Sequence, residues 1–457
     1  MDAFFASVEI YDDPSLAGLP VVVGGKGARG VVAAASYEAR AYGVHSAMPS
    51  GRAQRLCPEA TWISGRYDRY VEVSGRLHEL FHEVTPVVEG IALDEAFLDV
   101  GGSRRLLGDA EAIAHRLRDR VEDVLGLTCS VGVARVKLIA KLASEAAKPT
   151  PGRPGGGAAA LAARPGRGVV VIRPADELGF LQAHKIRALW GVGPATAARL
   201  ARYGVVTIGD LAALPVDTLV GALGDANGRH LHDLANARDH RSVVADVAVK
   251  SIGHEETFAA DLVGAEVVHR EVVRLCDAVA TRLRRSGVAA RTVQVKVRFP
   301  DFTTPTRSRT LAVATDTGAE ICAVVDTLLA GLDLTPGVRL LGVSCSGLAP
   351  PPERQLDMFD GGVADATAER VAAAQPKRAG AAARAAAATA LDEVRQRFGD
   401  GSLAPATVLR RGVKRKGDTQ WGPSVEEVPR ARREPLHANS RPAVVEEPDP
   451  WQDGSAP

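Results

Sequence analysis

The chain has 457 residues, of which 46% are hydrophobic, and a formal net charge of +1. This length predicts several domains with cores of ordinary size, and the balanced charge excludes a globally basic nucleic-acid-binding protein, so any basic surface must be local. No stretch approaches the roughly 18 consecutive apolar residues of a membrane helix, no signal peptide is recognisable, and five scattered cysteines favour reduced thiols in the cytoplasm.

Strand-like and helical patterns alternate over the first 150 residues. Apolar patterning predicts strands at 21–23, 31–33 and 91–100, and helices at 66–84 and 110–124. The stretch from 149 to 168 is rich in Gly, Pro and Ala, and it is predicted to be a flexible loop because it has few bulky side chains to pack.

The second half of the chain begins with a compact helical module, predicted over residues 174–236. Strands and helices then alternate from about 248 to 348, ending in a strand at 338–344. After Pro350 the composition changes. An Ala-rich segment leads into a predicted helix at 391–398, and the Pro/Arg/Glu-rich residues 400–457 are predicted to be disordered.

Two short motifs match known signatures and are rejected on context. His78 and His82 fit the H-E-x-x-H pattern of zinc proteases, but no third ligand follows at a suitable spacing. Residues 25–30 fit G-x-G-x-x-G, but a strand pattern rather than a helix resumes after them. The glycines therefore predict a hairpin turn and not a dinucleotide site.

The most informative feature is the adjacent pair Asp94 and Glu95 inside an apolar, strand-like run. Carboxylates are costly to bury unless they are paired or bind a metal. The flanking residues Leu93, Ala96 and Phe97 give no turn signal that would explain two exposed acids. In an ideal strand the two side chains would point to opposite faces. The pattern therefore predicts a metal-binding pair at a strand end or a hairpin bend.

Two features of the N-terminal region fit a nucleotide site, and each is weak alone. The segment Asp2–Glu9 places adjacent aromatic residues beside acids, which ordinary core packing would also explain. Tyr37 and Arg40 lie three residues apart on one face of a helical turn, where a hydroxyl and a guanidinium could grip a triphosphate.

Two further segments fit phosphate binding. Lys137, Lys141 and Lys148 fall close to one helical stripe, with a solvated basic face as the alternative. Gly191 and Gly193 fit a helix-hairpin-helix turn, whose backbone amides approach DNA phosphates without reading sequence. A plain helix–helix turn is the alternative for the second segment.

Basic residues also alternate along two strand-like segments beyond residue 290. Lys296 and Arg298 are two residues apart, as are Arg307 and Arg309, so each pair is expected to share a sheet face. One basic face beside an otherwise balanced domain predicts contact with a phosphate backbone.

In combination these motifs resemble the Y-family translesion DNA polymerases, most of all their bacterial polymerase IV branch. The matching segments are MDAFFASVE, SYEARAYGV, LDEAFLDV, SVGVARVKLIAKLASEAAKP, LWGVGPATAARL, KSIGHEETF and VRFPDFTTPTRSRTL. The resemblance implies an α+β multidomain right hand followed by a disordered tail. The implied parts are a palm (1–10 and 67–170), small fingers (11–66), a helical thumb with the helix-hairpin-helix (171–237), a linker (238–249), an α/β little finger (250–348) and the tail (349–457).

The resemblance also implies site roles. Asp94 and Glu95 would be the catalytic acids that bind Mg²⁺, two ions per active site, which lower the pKa of the primer 3′-hydroxyl and stabilise the leaving pyrophosphate. Phe5 would be the steric gate that excludes ribonucleotides by crowding the sugar 2′-hydroxyl. The triphosphate would be held by Tyr37, Arg40 and Lys148. DNA would be bound by Gly191, Gly193, Lys296, Arg298, Arg307 and Arg309.

The implied activity is low-fidelity, template-dependent addition of dNTPs to a primer during translesion synthesis. In the tail, the side chains of Gln355, Leu356, Met358 and Phe359 resemble a sliding-clamp-binding peptide, which would raise the effective concentration of the enzyme at primer ends. The expected partners are primer–template DNA, dNTPs and the sliding clamp, for a monomeric enzyme that does not contact membranes.

The chain departs from the family pattern at the first metal ligand. In that pattern an Asp stands immediately before the methionine that is residue 1 here, and Asp2 matches a second acid that is not the shared ligand. We expect in-frame codons upstream of Met1 to encode an apolar strand that ends in this Asp. The alternative is a catalytically defective, clamp- and DNA-binding scaffold of the same fold. Val136, where the family usually has Asn, and the long insertion at 150–168 are further departures.

Overall fold

The computed structural model describes residues 1–155, 157–245, 248–351, 375–399 and 402–408. Within these ranges the helices and strands surround several separate hydrophobic cores. None of the described helices is both long enough and apolar enough to cross a bilayer.

The N-terminal region begins with a helix and a small sheet. Its elements are α1 (Phe4–Asp12), β1 (Val21–Gly24), β2 (Val32–Ala35), α2 (Tyr37–Ala41), α3 (Ser50–Leu56), β3 (Thr61–Ile63) and α4 (Tyr67–Val84). β1 pairs antiparallel with β2 and parallel with β3. The antiparallel pairing confirms the hairpin predicted from the glycines at 25–30, and it leaves no helix there for a dinucleotide.

The acid pair lies in the next set of elements. These are β4 (Val88–Ala92), β5 (Glu95–Leu98), α5 (Arg104–Leu107), α6 (Ala110–Leu125), β6 (Val131–Val133), α7 (Lys137–Ala147), α8 (Ala158–Leu161) and β7 (Val169–Val171). β4 and β5 form an antiparallel hairpin, and β6 pairs parallel with β7. The single strand predicted at 91–100 is therefore wrong, whereas the hairpin bend predicted from the acids is confirmed. Helices α1, α4 and α6 share one core, where Phe4, Leu77 and Leu117 are buried.

The Gly/Pro/Ala-rich stretch at 149–168 is more ordered than predicted. Thr150 and Arg164 exchange two backbone hydrogen bonds, of 3.0 and 2.9 Å, and α8 lies between them. The prediction of a flexible loop is wrong for the described part, because backbone pairing takes the place of side-chain packing.

The helical module predicted at 174–236 is confirmed. It contains α9 (Glu177–Gln182), α10 (Pro194–Ala201), α11 (Ile208–Ala213), α12 (Val216–Leu223) and α13 (Asp225–Ala235). Its core, which includes Leu181, Leu200 and Leu231, extends to Leu138 and Leu142 of α7. The module is therefore seated on the helix that follows β6.

The last large unit is a four-stranded antiparallel sheet with helices on one face. Its elements are β8 (Ser251–Leu262), α14 (Ala265–Arg285), β9 (Ala289–Arg298), β10 (Thr306–Thr315), α15 (Gly318–Leu329) and β11 (Val338–Ala349), with the strands in the order β10-β9-β11-β8. Apolar residues of α14 and β9 such as Leu275 and Val295 form its core. The alternation predicted over 248–348 is confirmed.

A tail helix, α16 (Gln375–Phe398), contains the helix predicted at 391–398. It returns to the outer side of α14, where Arg395 lies 2.6 Å from Asp277 and Arg284 lies 2.6 Å from Asp392. Of residues 400–457, which were predicted to be disordered, all except 402–408 lie outside the described residues.

Gly132 is a position where the packing of α7 on β6 can be tested. A Cβ added there would lie 2.0 Å from the carbonyl oxygen of Ala140 and 2.3 Å from the amide nitrogen of Ser144, and these backbone atoms cannot move without displacing α7. We expect Gly132→Ala to lower the free energy of unfolding by about 1–3 kcal/mol, as overpacking does. Urea unfolding measures this change. In the control Gly102→Ala the new Cβ would meet no described atom within 4 Å, so equal losses in both variants would contradict the packing argument.

Candidate active site

The β4–β5 turn places the two acids at the edge of the N-terminal core. Asp94 lies in the turn itself and Glu95 begins β5. The carbonyl oxygen of Leu93 accepts a hydrogen bond from the hydroxyl of Ser74 at 2.5 Å, which ties the turn to α4. The side chains of Asp94 and Glu95 are 24% and 31% exposed, so both carboxylates are partly withdrawn from water.

Met1 lies beside Asp94. Its backbone nitrogen is 3.6 Å from Asp94 Oδ2 and donates a hydrogen bond of 2.9 Å to the carbonyl oxygen of Asp94. Burial raises the pKa of Asp94. A charged carboxylate here therefore needs a cation beside it, and two carboxylates offer the oxygen ligands that Mg²⁺ prefers. The residues present fit a divalent metal.

Glu95 is held by a lysine that the sequence did not single out as a site residue. Lys141 Nζ lies 2.8 Å from Glu95 Oε1 and 3.1 Å from Glu145 Oε1, and Lys148 Nζ lies 2.7 Å from the same Glu145 oxygen. Burial opposes the charged form of Lys141, but its contacts with Glu95 and Glu145 outweigh burial and raise its pKa. The stripe of lysines along α7 was the available signal for Lys141.

The adjacent aromatic residues have different environments. Phe4 is buried, as core packing predicts, whereas Phe5 is half-buried and stacks on Tyr70 with ring centroids 4.1 Å apart and planes 12° apart. The buried Tyr70 donates a hydrogen bond of 2.5 Å to Glu9, which Arg66 also contacts at 2.7 Å. This chain of contacts fixes the ring beneath Phe5. Tyr70 was not identified from the sequence because its contact with Phe5 is tertiary.

Tyr37 and Arg40 share one face of α2, as predicted. The guanidinium carbon of Arg40 lies 4.7 Å from the centroid of the Tyr37 ring, and its Nε donates a hydrogen bond to the carbonyl oxygen of Ala35. Burial raises the pKa of Tyr37 to about 12, so its hydroxyl is uncharged. This buried hydroxyl makes no hydrogen bond within the described residues, which is costly unless a ligand supplies a partner.

A cavity of about 210 Å³ brings the predicted metal residues together with Lys148, whereas Tyr37 and Arg40 do not line it. Asp94, Glu95, Lys141 and Lys148 line it, and its remaining walls come mainly from β5, β6, α6 and α7. Asp2 is not among the lining residues, but its Oδ1 accepts a hydrogen bond of 2.8 Å from the hydroxyl of Ser130, which is one of them.

The two glycines of the predicted DNA hairpin precede α10 and are exposed. Gly191 has φ +95°, a left-handed conformation that favours glycine. Gly193 caps α10, so backbone amides at the start of this helix point toward solvent. Both line a cleft of about 750 Å³ shared with Lys141 and Arg187.

The basic strand residues do not form one face. Each pair shares a face as predicted, but Arg307 is paired with Val295 and Arg309 with Val293, whose side chains are buried under the helices. Residues directly opposite each other in a sheet point to the same side. Arg307 and Arg309 therefore lie on the helix side of the edge strand, and Lys296 and Arg298 on the open side. The prediction of a single basic face is wrong.

Two motifs remain, the zinc-protease match at His78 and the clamp-binding peptide. His78 is buried in α4, burial lowers its pKa, and its ring packs edge-on against Phe81 at 5.3 Å. This packing agrees with rejecting the zinc-protease motif. The clamp-binding candidates Gln355, Leu356, Met358 and Phe359 lie outside the described residues.

Comparison with known proteins gives consistent matches over most of the chain. Residues 1–145 match the impB/mucB/samB family, and residues 249–358 match the impB/mucB/samB family C-terminal domain. DNA polymerase IV of Streptomyces coelicolor is 46% identical over 358 residues, covering 78% of this chain and 71% of that protein. DNA polymerase IV of Halorhodospira halophila is 45% identical over 361 residues, covering 79% and 96%.

Solved structures agree with this match. A Y-family DNA polymerase chimera of Dbh and Dpo4 superposes with a TM-score of 0.66 at 25% identity, covering 76% of this chain and 97% of its own. An insertion ternary complex of Dbh DNA polymerase superposes with a TM-score of 0.54 at 24% identity, covering 76% and 96%, and supports the fold.

The cost of burying Asp94 can be measured without any assay of activity. The pKa of Asp94 is raised above 3.8 in the folded state. The free energy of unfolding of the parent should therefore fall as the pH rises from 3.8 through the raised value. The Asp94→Asn variant should lack this fall. We expect the metal-free variant to melt no lower than the parent at neutral pH, and Mg²⁺ to raise the melting temperature of the parent only. Differential scanning fluorimetry in EDTA and in MgCl₂ tests this, with the exposed Asp119→Asn as the control. A metal-free Asp94→Asn variant that melts well below the parent would contradict the argument.

Proposed function

This chain belongs to the impB/mucB/samB family, within the Y-family DNA polymerases of the polymerase IV type, and on that premise we propose how its residues carry out the reaction. It is a DNA-directed DNA polymerase that adds deoxynucleotides to a primer during translesion synthesis. These relatives give no support to the catalytically defective scaffold, because both are named DNA polymerase IV.

Asp94 and Glu95 hold the divalent metal ions in this proposal, and the single observation that carries it is their position. Two adjacent carboxylates lie at a hairpin turn, and both are partly withdrawn from water. When bound, two Mg²⁺ ions would supply a lowered pKa at the primer 3′-hydroxyl and charge neutralisation at the leaving pyrophosphate. Lys141 Nζ lies 2.8 Å from Glu95 Oε1, and both residues line the cavity.

The incoming triphosphate is assigned to Tyr37, Arg40 and Lys148. The Tyr37 hydroxyl is an unused donor, and Arg40 can offer a planar fork to phosphate oxygens. Lys148 ends α7 beside the cavity and contacts Glu145, an acid that a more strongly charged phosphate could displace. These groups bind the phosphates and orient the nucleotide toward the acids.

Phe5 is assigned to the exclusion of ribonucleotides. A steric gate must not yield when a 2′-hydroxyl presses against it. The stack on Tyr70, whose own hydroxyl is held by Glu9, gives Phe5 this rigidity. Sugar selection would then follow from crowding and not from a hydrogen bond.

Contacts with DNA are assigned to exposed amides and to the open face of the sheet. The amides around Gly191 and Gly193 suit phosphates of the duplex, and Lys296 and Arg298 point to the side of the sheet without helices. Arg307 and Arg309, on the edge strand, would reach DNA only along that edge. The peptide at 355–359 would tether a monomeric enzyme to the sliding clamp.

Loss of the acid pair should abolish synthesis. We expect primer extension to require Mg²⁺ and to fall at least about 100-fold in Asp94→Ala, since groups that stabilise transition-state charge contribute on this scale. A gel assay with primed template measures it. Asp119→Ala, an exposed acid on α6, is the matched control and should extend normally. Near-normal extension by Asp94→Ala would refute the site assignment.

Removal of the gate should change sugar selectivity and leave synthesis intact. In Phe5→Ala the preference for dNTP over rNTP, measured as a ratio of kcat/KM values, should fall by at least about tenfold, which corresponds to ~1.4 kcal/mol. Phe4→Leu is the control, because Phe4 is buried in the core and its loss should affect stability only. Unchanged selectivity in Phe5→Ala would remove its assigned role.

A further inference from the structure

The outer face of the C-terminal sheet domain carries metal-ligating side chains that DNA synthesis does not use. α14 and α15 pack against each other there and bring His269 close to Cys322 and Asp326. His269 Nδ1 lies 3.0 Å from Asp326 Oδ1, and Cys322 Sγ lies 3.7 Å from Asp326 Oδ2. One nitrogen, one sulfur and one oxygen from these residues all lie within 4.8 Å of one another. We propose that His269, Cys322 and Asp326 form a binding site for a divalent transition metal, best matched by Zn²⁺.

The spacing fits a tetrahedral site without rearrangement of the backbone. Cys322 and Asp326 are four residues apart on α15 and so lie on one helix face, and His269 approaches from α14. With Zn–N and Zn–O near 2.0 Å and Zn–S near 2.3 Å, tetrahedral ligand atoms are roughly 3.3–3.6 Å apart. The two measured separations run to different oxygens of Asp326, and the three ligand atoms lie within 4.8 Å of one another, so side-chain rotations must close the remaining gap.

The donor atoms select the kind of metal. An imidazole nitrogen, a thiolate and a carboxylate suit zinc and related ions, whereas Mg²⁺ and Ca²⁺ prefer oxygen alone. His269 and Asp326 are 47% and 42% exposed, so an ion can enter from solvent and a water can take the fourth position.

Metal at this position would join α14 to α15 on the side of the domain away from its open sheet face. It would therefore brace the two helices without touching the acid pair at Asp94 and Glu95. Metal binding and polymerase activity are thus separable in experiments.

Cobalt titration of the full chain tests the proposal. Co²⁺ added to EDTA-treated, desalted protein reports a thiolate ligand by a sulfur-to-metal charge-transfer band in the near ultraviolet. We expect one equivalent of Co²⁺ to produce this band and one equivalent of Zn²⁺ to displace it. Cys322→Ala should lose the band, and His269→Ala and Asp326→Ala should each weaken binding by more than about tenfold.

The controls separate this site from others on the chain. Cys345→Ala removes a thiol of the same core outside the cluster and should keep the band. Co²⁺ at Asp94 and Glu95 would have oxygen ligands only and give no such band. Circular dichroism checks the fold of Cys322→Ala, and His269→Ala, altered on the surface, decides the outcome if that variant misfolds. Absence of stoichiometric binding by the parent, or a band that survives both Cys322→Ala and His269→Ala, would overturn the proposal.

Discussion

The cost of holding two carboxylates side by side, partly out of water, is the constraint on which the N-terminal half of this structure depends. A hairpin turn meets it by placing Asp94 in the bend and Glu95 at the first position of β5. Ser74 holds the turn from α4, and Lys141 compensates Glu95 from α7. Burial raises the pKa of Asp94. The site is therefore arranged to gain free energy when a divalent cation binds.

Helix α7 connects this site to the rest of the molecule. Lys141 contacts Glu95 and Lys148 lines the same cavity, while Leu138 and Leu142 belong to the core of the helical module. At its start, Lys137 contacts Glu89 and donates a hydrogen bond to the carbonyl oxygen of Ser242, and Asp239 accepts one from the amide of Leu138. The linker before β8 is therefore hydrogen-bonded to α7, the helix whose Lys141 contacts Glu95. A movement of α7 would therefore change contacts in the active site, the helical module and the linker together.

The sequence predicted features that local chemistry decides. The bend at Asp94 was predicted because neighbouring side chains of a flat strand point to opposite faces, whereas two acids that bind one metal must point to the same side. The helices at 66–84 and 110–124 and the hairpin at 25–30 followed from patterning and glycines. Tertiary contacts could not be read this way: the Tyr70 ring under Phe5 and the pairing of Lys141 with Glu95 join residues 65 and 46 positions apart. The opposite facing of the two basic pairs depends on the register across the turn at 299–305, which charge spacing does not encode.

The charges near the proposed substrates bear on how strongly this chain would hold DNA. Three lysines there contact acids: Lys141 contacts Glu95 and Glu145, Lys148 contacts Glu145, and Lys296 contacts Glu255 at 2.8 Å. Each such pair must be broken before a phosphate gains the lysine, so the net gain per contact is smaller than for an unpaired lysine. With a net charge of +1, no global attraction adds to these contacts. The proposed clamp tether at 355–359 would offset this smaller gain, because a tether raises the local concentration of the enzyme at primer ends.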